Sequence, residues 1–229
     1  VLPVKEICDY AHERGIIVVI DGAQSVPHMP VDVQSMDCDF LAFSGHKMCG
    51  PTGIGVLYGK YPLLKETYPL RNGGGNNARY NSCGVVSLKN PPEKFEAGTP
   101  NISGAIGLGA AVKYLMAIGM ENIHQHELEL RDYAIEKMSQ VDQIEIYNKK
   151  GSGPIAFNVK GVFSQDTASL FNKYGVAVRA GQHCAKILDE YLHVTNTVRA
   201  SFYFYNTKED VDKLIEVCKK GDDFLDAFF

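Results

Sequence analysis

An apolar run near the start of the chain, residues 16–20 (IIVVI), constrains the fold more than any other feature. A strand that is apolar at every position is buried on both faces, which is typical of a parallel sheet covered by helices on both sides. Residues 3–14 precede it with apolar side chains at the i, i+3, i+4 and i+7 spacing of an amphipathic helix. This order predicts an α/β fold with earlier strands beside residues 16–20. We therefore expect the N-terminal part of the fold to be missing from this sequence.

The remaining predicted elements form two groups. Short strands at 40–43 and 56–58 continue the first group, and residues 61–100 are rich in turn-forming residues. An irregular segment of this length in a compact domain is more often functional than idle. We expect a partial large α/β domain with a mainly parallel sheet over residues 1–114 and a small α+β domain over residues 115–229. The later predicted helices and strands are 103–118, 121–140, 144–147, 155–159, 166–174, 176–179, 197–204 and 208–219.

Composition argues against several classes of partner. The 229 residues carry a formal net charge of -4 with scattered basic residues, so we expect neither nucleic acid nor an anionic membrane as a partner. The run at 16–20 is the longest purely apolar one and is far shorter than a membrane span. The six cysteines include no CxxC pair, which favours reduced thiols in a cytoplasmic protein over a disulfide framework. We expect no metal, because no ligand set has the spacing of a zinc site.

Polar side chains follow two of the predicted strands at the point where each strand ends. Asp21 ends the first apolar strand, and Ser44, His46 and Lys47 follow the next one. Ligands of open α/β sheets gather at the carboxyl ends of strands, so this arrangement predicts a shared crevice. A lysine buried there is costly unless it is neutral or paired, and a neutral lysine amine attacks carbonyl carbons. For Asp21 taken alone, an ordinary strand-end turn remains an alternative.

Four stretches carry a resemblance to a known family. Residues 21–59 (DGAQSVPHMPVDVQSMDCDFLAFSGHKMCGPTGIGVLYG) resemble the pyridoxal 5′-phosphate (PLP) segment of class V aminotransferase-like enzymes of fold type I. Within that family they look most like the cysteine desulfurase and selenocysteine lyase branch. Residues 95–101 (FEAGTPN), 178–185 (VRAGQHCA) and 198–212 (VRASFYFYNTKEDVD) match in the same order, so the resemblance covers essentially the whole chain.

The resemblance implies that the cofactor is PLP and assigns its contacts. Lys47 would bind PLP covalently as a Schiff base. Asp21 would pair with the pyridinium nitrogen and keep it protonated, so that the ring acts as an electron sink. The other implied contacts are Gln24 on the phenolic oxygen, Ala23 on one ring face, Ser44 and His46 on the phosphate, and Thr99 on the phosphate of the partner subunit in a homodimer.

The same resemblance implies a reaction. Arg199 would bind the substrate carboxylate through two parallel hydrogen bonds, with Arg179 at the mouth of the pocket. Without the resemblance, either arginine would be interpreted as a surface residue. The Cys184 thiolate would attack the sulfur of PLP-bound L-cysteine, so that L-alanine leaves and a persulfide remains for a sulfur-acceptor protein, as in iron–sulfur cluster assembly. Gln182 stands where this branch usually has a second histidine.

Two other interpretations remain open. The same pocket would accept L-selenocysteine, so a selenocysteine lyase or another class V aminotransferase-like enzyme is an alternative, although Cys184 argues against an aminotransferase. The chain is alternatively a non-catalytic fragment of such an enzyme. The family's ring-stacking histidine and its N-terminal phosphate donors are not among these residues, so we expect weak or no PLP binding by the 229 residues alone.

Overall fold

The computed structural model describes residues 2–220. They form two compact units, one from Leu2 to Met120 and the other from Glu121 onward. The sequence-based boundary between residues 114 and 115 falls inside the helix Ile102–Ile118, which the structure keeps whole in the first unit. That helix ends at Gly119, whose φ of 95° is readily adopted only by glycine.

The first unit combines a three-stranded sheet, a separate hairpin and helices. Strands β1 and β2 are parallel, β3 runs antiparallel to β2, and β4 and β5 form the hairpin. The predicted α/β class is confirmed, and β1 with β2 is the one parallel pair among the described strands. In chain order the elements are α1 (Val4–His12), β1 (Val19–Asp21), α2 (Val33–Met36), β2 (Phe40–Ser44), β3 (Gly55–Gly59), α3 (Tyr61–Glu66), β4 (Asn77–Tyr80), β5 (Val86–Leu88) and α4 (Ile102–Ile118).

Strand β1 is shorter and more exposed than its sequence predicts. Ile16 and Ile17 lie outside it, and these two residues and Val19 are 54%, 55% and 66% exposed. Within residues 2–220, β1 pairs with a strand on one edge only. A strand is buried on both faces only where neighbouring elements cover it. The expectation of burial on both faces is therefore wrong for the described residues.

A buried carboxylate ties α1 to the sheet of the first unit. Asp39 accepts hydrogen bonds from the Val18 backbone N–H at 2.8 Å and from His12 Nε2 at 2.9 Å, and Lys60 Nζ lies 3.0 Å from it. Burial raises the pKa of Asp39, but these three contacts outweigh burial and lower that pKa to about 2. An apolar cluster packs the same helix on the sheet: Cys8, Ala11, Val18, Cys38 and Leu41.

Helix α4 is rich in small residues and lies close against the loop that follows β2. A Cβ added to Gly107 would lie only 2.6 Å from Cγ of Pro51, so a larger residue at 107 would push the helix away from this loop. Within the described part of the chain, no single helix is long and apolar enough to cross a membrane. Helices α4 and α5 (Met120–Met138) meet that test only as a pair bent by 71°.

The second unit is an antiparallel sheet packed against helices. The strand order is β6–β7–β9–β8, and every neighbouring pair is antiparallel. The predicted α+β order is confirmed, but the strand predicted at 197–204 ends at Ala200 and helix α7 was not predicted. After α5 the elements are β6 (Ile144–Ile146), β7 (Ile155–Val159), α6 (Ser164–Lys173), β8 (Arg179–Gly181), α7 (Lys186–Tyr191), β9 (Thr197–Ala200) and α8 (Lys208–Cys218).

Candidate active site

Asp21 and Ser44 end neighbouring parallel strands. Asp21 is in register with Ala42, and β2 continues from there to Ser44. Both residues therefore lie at the carboxyl edge of the sheet, where ligands of α/β proteins bind. Asp21 Oδ1 also accepts a hydrogen bond from the Ala23 N–H at 2.9 Å. The strand-end turn is thus present, and it leaves Oδ2 of the exposed Asp21 for another partner.

A tight turn holds Lys47 directly after β2. Residues Gly45–Lys47 form one 3₁₀ turn, and the Gly45 carbonyl accepts from the N–H groups of Met48 at 3.0 Å and Gly50 at 2.9 Å. Glycine is required at position 50, because a Cβ there would lie 2.8 Å from this carbonyl oxygen. Met48 is buried, whereas Lys47 is half-buried. The position of Lys47 in the sequence predicts a buried side chain. In the structure this side chain retains partial contact with solvent.

Lys47 differs from two other partly or fully buried lysines of the first unit. Lys60 Nζ lies 2.6 Å from the Asp37 carboxylate, and Lys94 Nζ donates to two backbone carbonyls at 3.3 and 2.7 Å. For the Lys47 amine, residues 2–220 supply no hydrogen-bond or ion-pair partner. An uncommitted amine and the Asp21 carboxylate thus lie at one sheet edge. These groups fit PLP, whose aldehyde reacts with an amine and whose ring nitrogen pairs with a carboxylate.

The other predicted cofactor contacts of the two strand ends are also uncommitted. Ser44 and Ala23 are half-buried, and Gln24 and His46 are exposed. No other side chain or backbone group in the described chain engages the Ser44 hydroxyl, the His46 ring or the Gln24 amide. A hydroxyl and an imidazole that end the same strand suit a phosphate, and the amide suits a ring oxygen.

Thr99 lies in a different place within the first unit. It lines an open cleft of about 360 Å³ together with Gly74, Gly75, Gly98 and Pro100. Two of these lining residues are joined by a hydrogen bond, since the Gly98 N–H donates to the Gly74 carbonyl at 2.6 Å. Lys47 and Asp21 are not among the lining residues. This cleft is thus not shared with the lysine, and the role of Thr99 toward a partner subunit stays a prediction.

Two arginines face each other in the second unit. Arg179 of β8 is directly opposite Arg199 of β9 in the antiparallel register. Directly opposed residues share one face of a sheet with Cβ atoms ~5 Å apart, and like charges in such a pair repel. The Arg199 Nε is buried and has no hydrogen-bond partner among the described residues. Two opposed guanidinium groups with a buried, unused donor make a site suited to a carboxylate.

Cys184 follows β8 on a left-handed turn. His183 and Cys184 have φ values of 50° and 61°, and the Ala185 N–H closes the turn by donating to the Gln182 carbonyl at 2.8 Å. The Cys184 residue is exposed. His183 Nε2 lies 3.0 Å from the Thr197 carbonyl oxygen of β9. The turn thus presents a thiol to solvent while its neighbour is fastened to the strand that carries Arg199.

Sequence reasoning missed one polar residue beside this turn. Asp189 of α7 is buried, at 5% exposure, and no group within residues 2–220 forms a hydrogen bond with its Oδ2. Asp189 and Arg199 both act electrostatically on His183. Nothing in one sequence distinguishes this aspartate from the solvated acidic residue that usually occupies a helix.

The predicted site residues thus form two sets, each within one unit. One sheet edge of the first unit carries Asp21, Ala23, Gln24, Ser44, His46 and Lys47. The same unit also contains Thr99. The second unit contains Arg179, Cys184 and Arg199.

Comparison with known proteins decides the family. The model of the aminotransferase class-V family matches residues 1–214. The chain belongs to the class-V aminotransferase family. Membership agrees with the strand-end lysine and carboxylate described above, and it confirms the family resemblance of the four sequence stretches.

Three of the proteins similar to this class-V chain are named as cysteine desulfurases or probable cysteine desulfurases. A probable cysteine desulfurase of Halalkalibacterium halodurans is 48% identical over 228 residues, covering 99% of this chain and 56% of the relative. A cysteine desulfurase of Haloferax volcanii is 49% identical over 217 residues, covering 93% and 51%. The crystal structure of the cysteine desulfurase CsdA from Escherichia coli superposes with a TM-score of 0.92 at 40% identity, covering 96% and 55%. The fold type I architecture is thereby confirmed, and the chain spans about half the length of these relatives.

Proposed function

We propose that the protein containing these residues is a PLP-dependent cysteine desulfurase, which converts L-cysteine to L-alanine and leaves sulfur on Cys184. One observation carries the proposal: an exposed cysteine lies on a turn fastened to the strand of Arg199, a carboxylate-binding candidate. Identities of 48% and 49% to proteins named cysteine desulfurases, over nearly the whole chain, support it.

The residues of the first unit would hold the cofactor. When bound, PLP supplies an electron sink that weakens bonds at the carbon atoms of an attached amino acid. The Lys47 amine would hold it covalently, and the Asp21 carboxylate would keep its ring nitrogen protonated. Gln24 and Ala23 would contact the ring, while Ser44 and His46 would donate to the phosphate. Thr99 of one subunit would reach the phosphate held by the other in a homodimer.

The arginines of the second unit would orient the substrate. The Arg199 guanidinium offers parallel N–H donors, a geometry that matches a carboxylate. Its buried, unused Nε would gain a partner when the cysteine carboxylate arrives. That carboxylate would also relieve the repulsion between Arg199 and the opposed Arg179.

Cys184 would carry out the sulfur transfer. Its thiolate attacks the substrate sulfur, an S–S bond forms, and the Cβ–S bond of the substrate breaks. The electron pair of the broken bond passes to the carbon fragment, which takes up a proton and leaves as L-alanine. The persulfide stays on an exposed residue, where a sulfur-acceptor protein can reach it. A cytoplasmic role in iron–sulfur cluster assembly would use such an acceptor.

The experiment is a paired product assay on the full-length, PLP-loaded protein. With L-cysteine and no reductant, we expect L-alanine and a mass increase of one sulfur atom on the Cys184 peptide. Cys184→Ser should retain the cofactor absorbance and lose the alanine, whereas Cys83→Ser, which removes another exposed cysteine, should behave as wild type. Full alanine formation by Cys184→Ser would instead indicate a selenocysteine lyase type of elimination. A full-length protein that binds no PLP would indicate a non-catalytic relative.

A further inference from the structure

The turn that carries Cys184 needs an external restraint. His183 and Cys184 are consecutive non-glycine residues in the left-handed region, with φ values of 50° and 61°. Such residues are strained and persist only where surrounding contacts hold them. The turn's own hydrogen bond, from the Ala185 N–H to the Gln182 carbonyl, restrains its ends but not its position on the unit.

The His183 side chain supplies a restraint to the sheet. Its Nε2 lies 3.0 Å from the carbonyl oxygen of Thr197, a buried residue paired with Gly181 in the β8–β9 ladder. A carbonyl oxygen only accepts hydrogen bonds, so Nε2 carries the proton. In the neutral ring Nδ1 then has a lone pair and no proton. The bond fastens the residue before Cys184 to a strand position two residues before Arg199.

The charges around His183 favour the neutral ring. Burial lowers the pKa of His183, and the nearby Arg199 and Arg179 lower it further. The Thr197 carbonyl and the Asp189 carboxylate act in the opposite direction and are outweighed. Near neutral pH the ring therefore remains an uncharged donor with one fixed tautomer, which suits an anchor.

We propose that His183 is a positioning residue for sulfur transfer, which fixes the Cys184 turn to the Arg199 strand through Nε2–H and the Thr197 carbonyl. The turn and the substrate-binding arginine would then keep a constant separation within the second unit. The step that benefits rests on the proposed function, because it is the attack of the Cys184 sulfur on a substrate held by Arg199. The anchoring itself concerns only this chain's own groups.

Two variants of nearly equal size distinguish loss of the hydrogen bond to Thr197 from a change in side-chain volume. In His183→Gln the side-chain amide nitrogen takes the place of Nε2 and can still donate to the Thr197 carbonyl. In His183→Asn the amide nitrogen takes the place of Nδ1 and falls short of it. We expect His183→Asn to lower kcat for alanine formation about tenfold, the value of one hydrogen bond, with KM for L-cysteine unchanged. His183→Gln should restore kcat to within about twofold of wild type.

Amide hydrogen exchange gives a readout that does not depend on turnover. In the full-length, PLP-loaded protein, exchange in the segment 182–185 should accelerate about tenfold in His183→Asn and stay near wild type in His183→Gln. Absorbance of the lysine-bound cofactor should be the same in both, because Lys47 lies in the other unit. Equal exchange and equal kcat in the two variants would overturn the proposal.

A measurement on the wild type covers the case in which a variant fails to fold. Nitrogen-15 NMR of the histidine rings should show His183 protonated at Nε2 and bare at Nδ1 near neutral pH. In the opposite tautomer Nε2 has no proton to donate to the Thr197 carbonyl, and that result would contradict the proposal. If the wild type makes no alanine from L-cysteine, the proposed desulfurase function fails, while the exchange and NMR results still decide whether His183 anchors the turn.

Discussion

Arg179 and Arg199 lie directly opposite each other on the neighbouring antiparallel strands β8 and β9. Like charges in such a pair repel, and the Arg199 guanidinium also carries a buried Nε that the described part of the chain leaves without a partner. Both features cost stability in the empty protein and both are relieved by one bound anion. The arrangement is therefore better explained by a ligand carboxylate than by folding.

The two arginines are predicted to contribute differently to substrate binding and to stability. Arg199→Gln should raise KM for L-cysteine at least about 100-fold, since two charge-assisted hydrogen bonds of ~1.5–3 kcal/mol each are lost. Arg179→Gln should raise KM less and increase the melting temperature of the empty protein, because the repulsion disappears. Steady-state kinetics and thermal unfolding measure the two effects. Arg14→Gln, which removes an exposed arginine of the first unit that contacts only Tyr10 and Glu13 among the described residues, is the control for the kinetics and should leave KM unchanged.

Lys47 is predicted to be the covalent attachment point of the cofactor. Lys47→Ala should abolish the visible absorbance of the lysine-bound cofactor in the full-length protein. Lys47→Arg should abolish it as well, because a guanidinium keeps the charge but supplies no nucleophilic amine. Spectroscopic titration with PLP provides the measurement, and the exposed Lys65→Ala is the control. Retention of the band in Lys47→Arg would rule out this lysine.

Asp39 is predicted to make the stability of the first unit decrease at acidic pH. Its pKa is about 2 in the folded chain, against about 3.9 for an unfolded aspartate. A lowered pKa means that the carboxylate contributes stability above the unfolded value, and that this contribution is lost as the pH falls from about 4 to about 2. Asp39→Asn should cost ~2 kcal/mol at neutral pH and flatten this acid dependence.

Urea unfolding at a series of pH values tests the role of Asp39. Glu13→Gln is the matched control, because its carboxylate is 73% exposed and, within residues 2–220, pairs only with the neighbouring Arg14. An exposed pair of this kind contributes little to stability. If the two variants lose the same stability and show the same acid dependence, the proposed role of the buried carboxylate is wrong.

Arg131 is predicted to hold a loop of the second unit. This residue is 1% exposed, and its guanidinium donates to the backbone carbonyls of Asn148, Lys149 and Gly153. Arg131→Met leaves three carbonyls without their donor, which should cost ~3 kcal/mol. Arg131→Lys keeps the charge but not the planar fork, so an intermediate loss is expected. Chemical unfolding and hydrogen exchange at residues 148–153 measure this, and unchanged exchange in both variants would contradict it.

Local patterns were sufficient where a short stretch decides the structure. Residues 3–14 predicted a helix, and α1 forms at Val4–His12 with Gly15 at a φ of 66° just beyond it. The stretch around Lys47 predicted a strand followed by a glycine-rich turn, and the structure has that order. The turn can form because position 50 is a glycine, which allows the chain to return close to Gly45. Helical periodicity and glycine sterics act over a few residues, so the sequence exposes them directly.

The same reasoning could not predict contacts between residues far apart in the sequence. The strand predicted at 197–204 ends at Ala200, because pairing with β8 ends at Arg199 and pairing with β7 ends at Ala200. Burial of residues 16–20 was predicted from their apolarity and is wrong for the described chain, because burial depends on which elements lie alongside. Asp189 and the opposed arginines gave no local signal, since their environment comes from strands and helices brought together by folding.

The sequence by itself determined the fold class, the family and the identity of the candidate groups, because these follow from residue type, short spacing and motif order. It also predicted that Asp21 and Lys47 share a crevice, which the parallel pairing of β1 and β2 allows. It could not determine the other meetings: only the tertiary structure paired Arg179 with Arg199 and fastened His183 to the Thr197 carbonyl. The physical reason is that strand register and side-chain hydrogen bonds join residues far apart in the chain, and packing of the whole unit selects them.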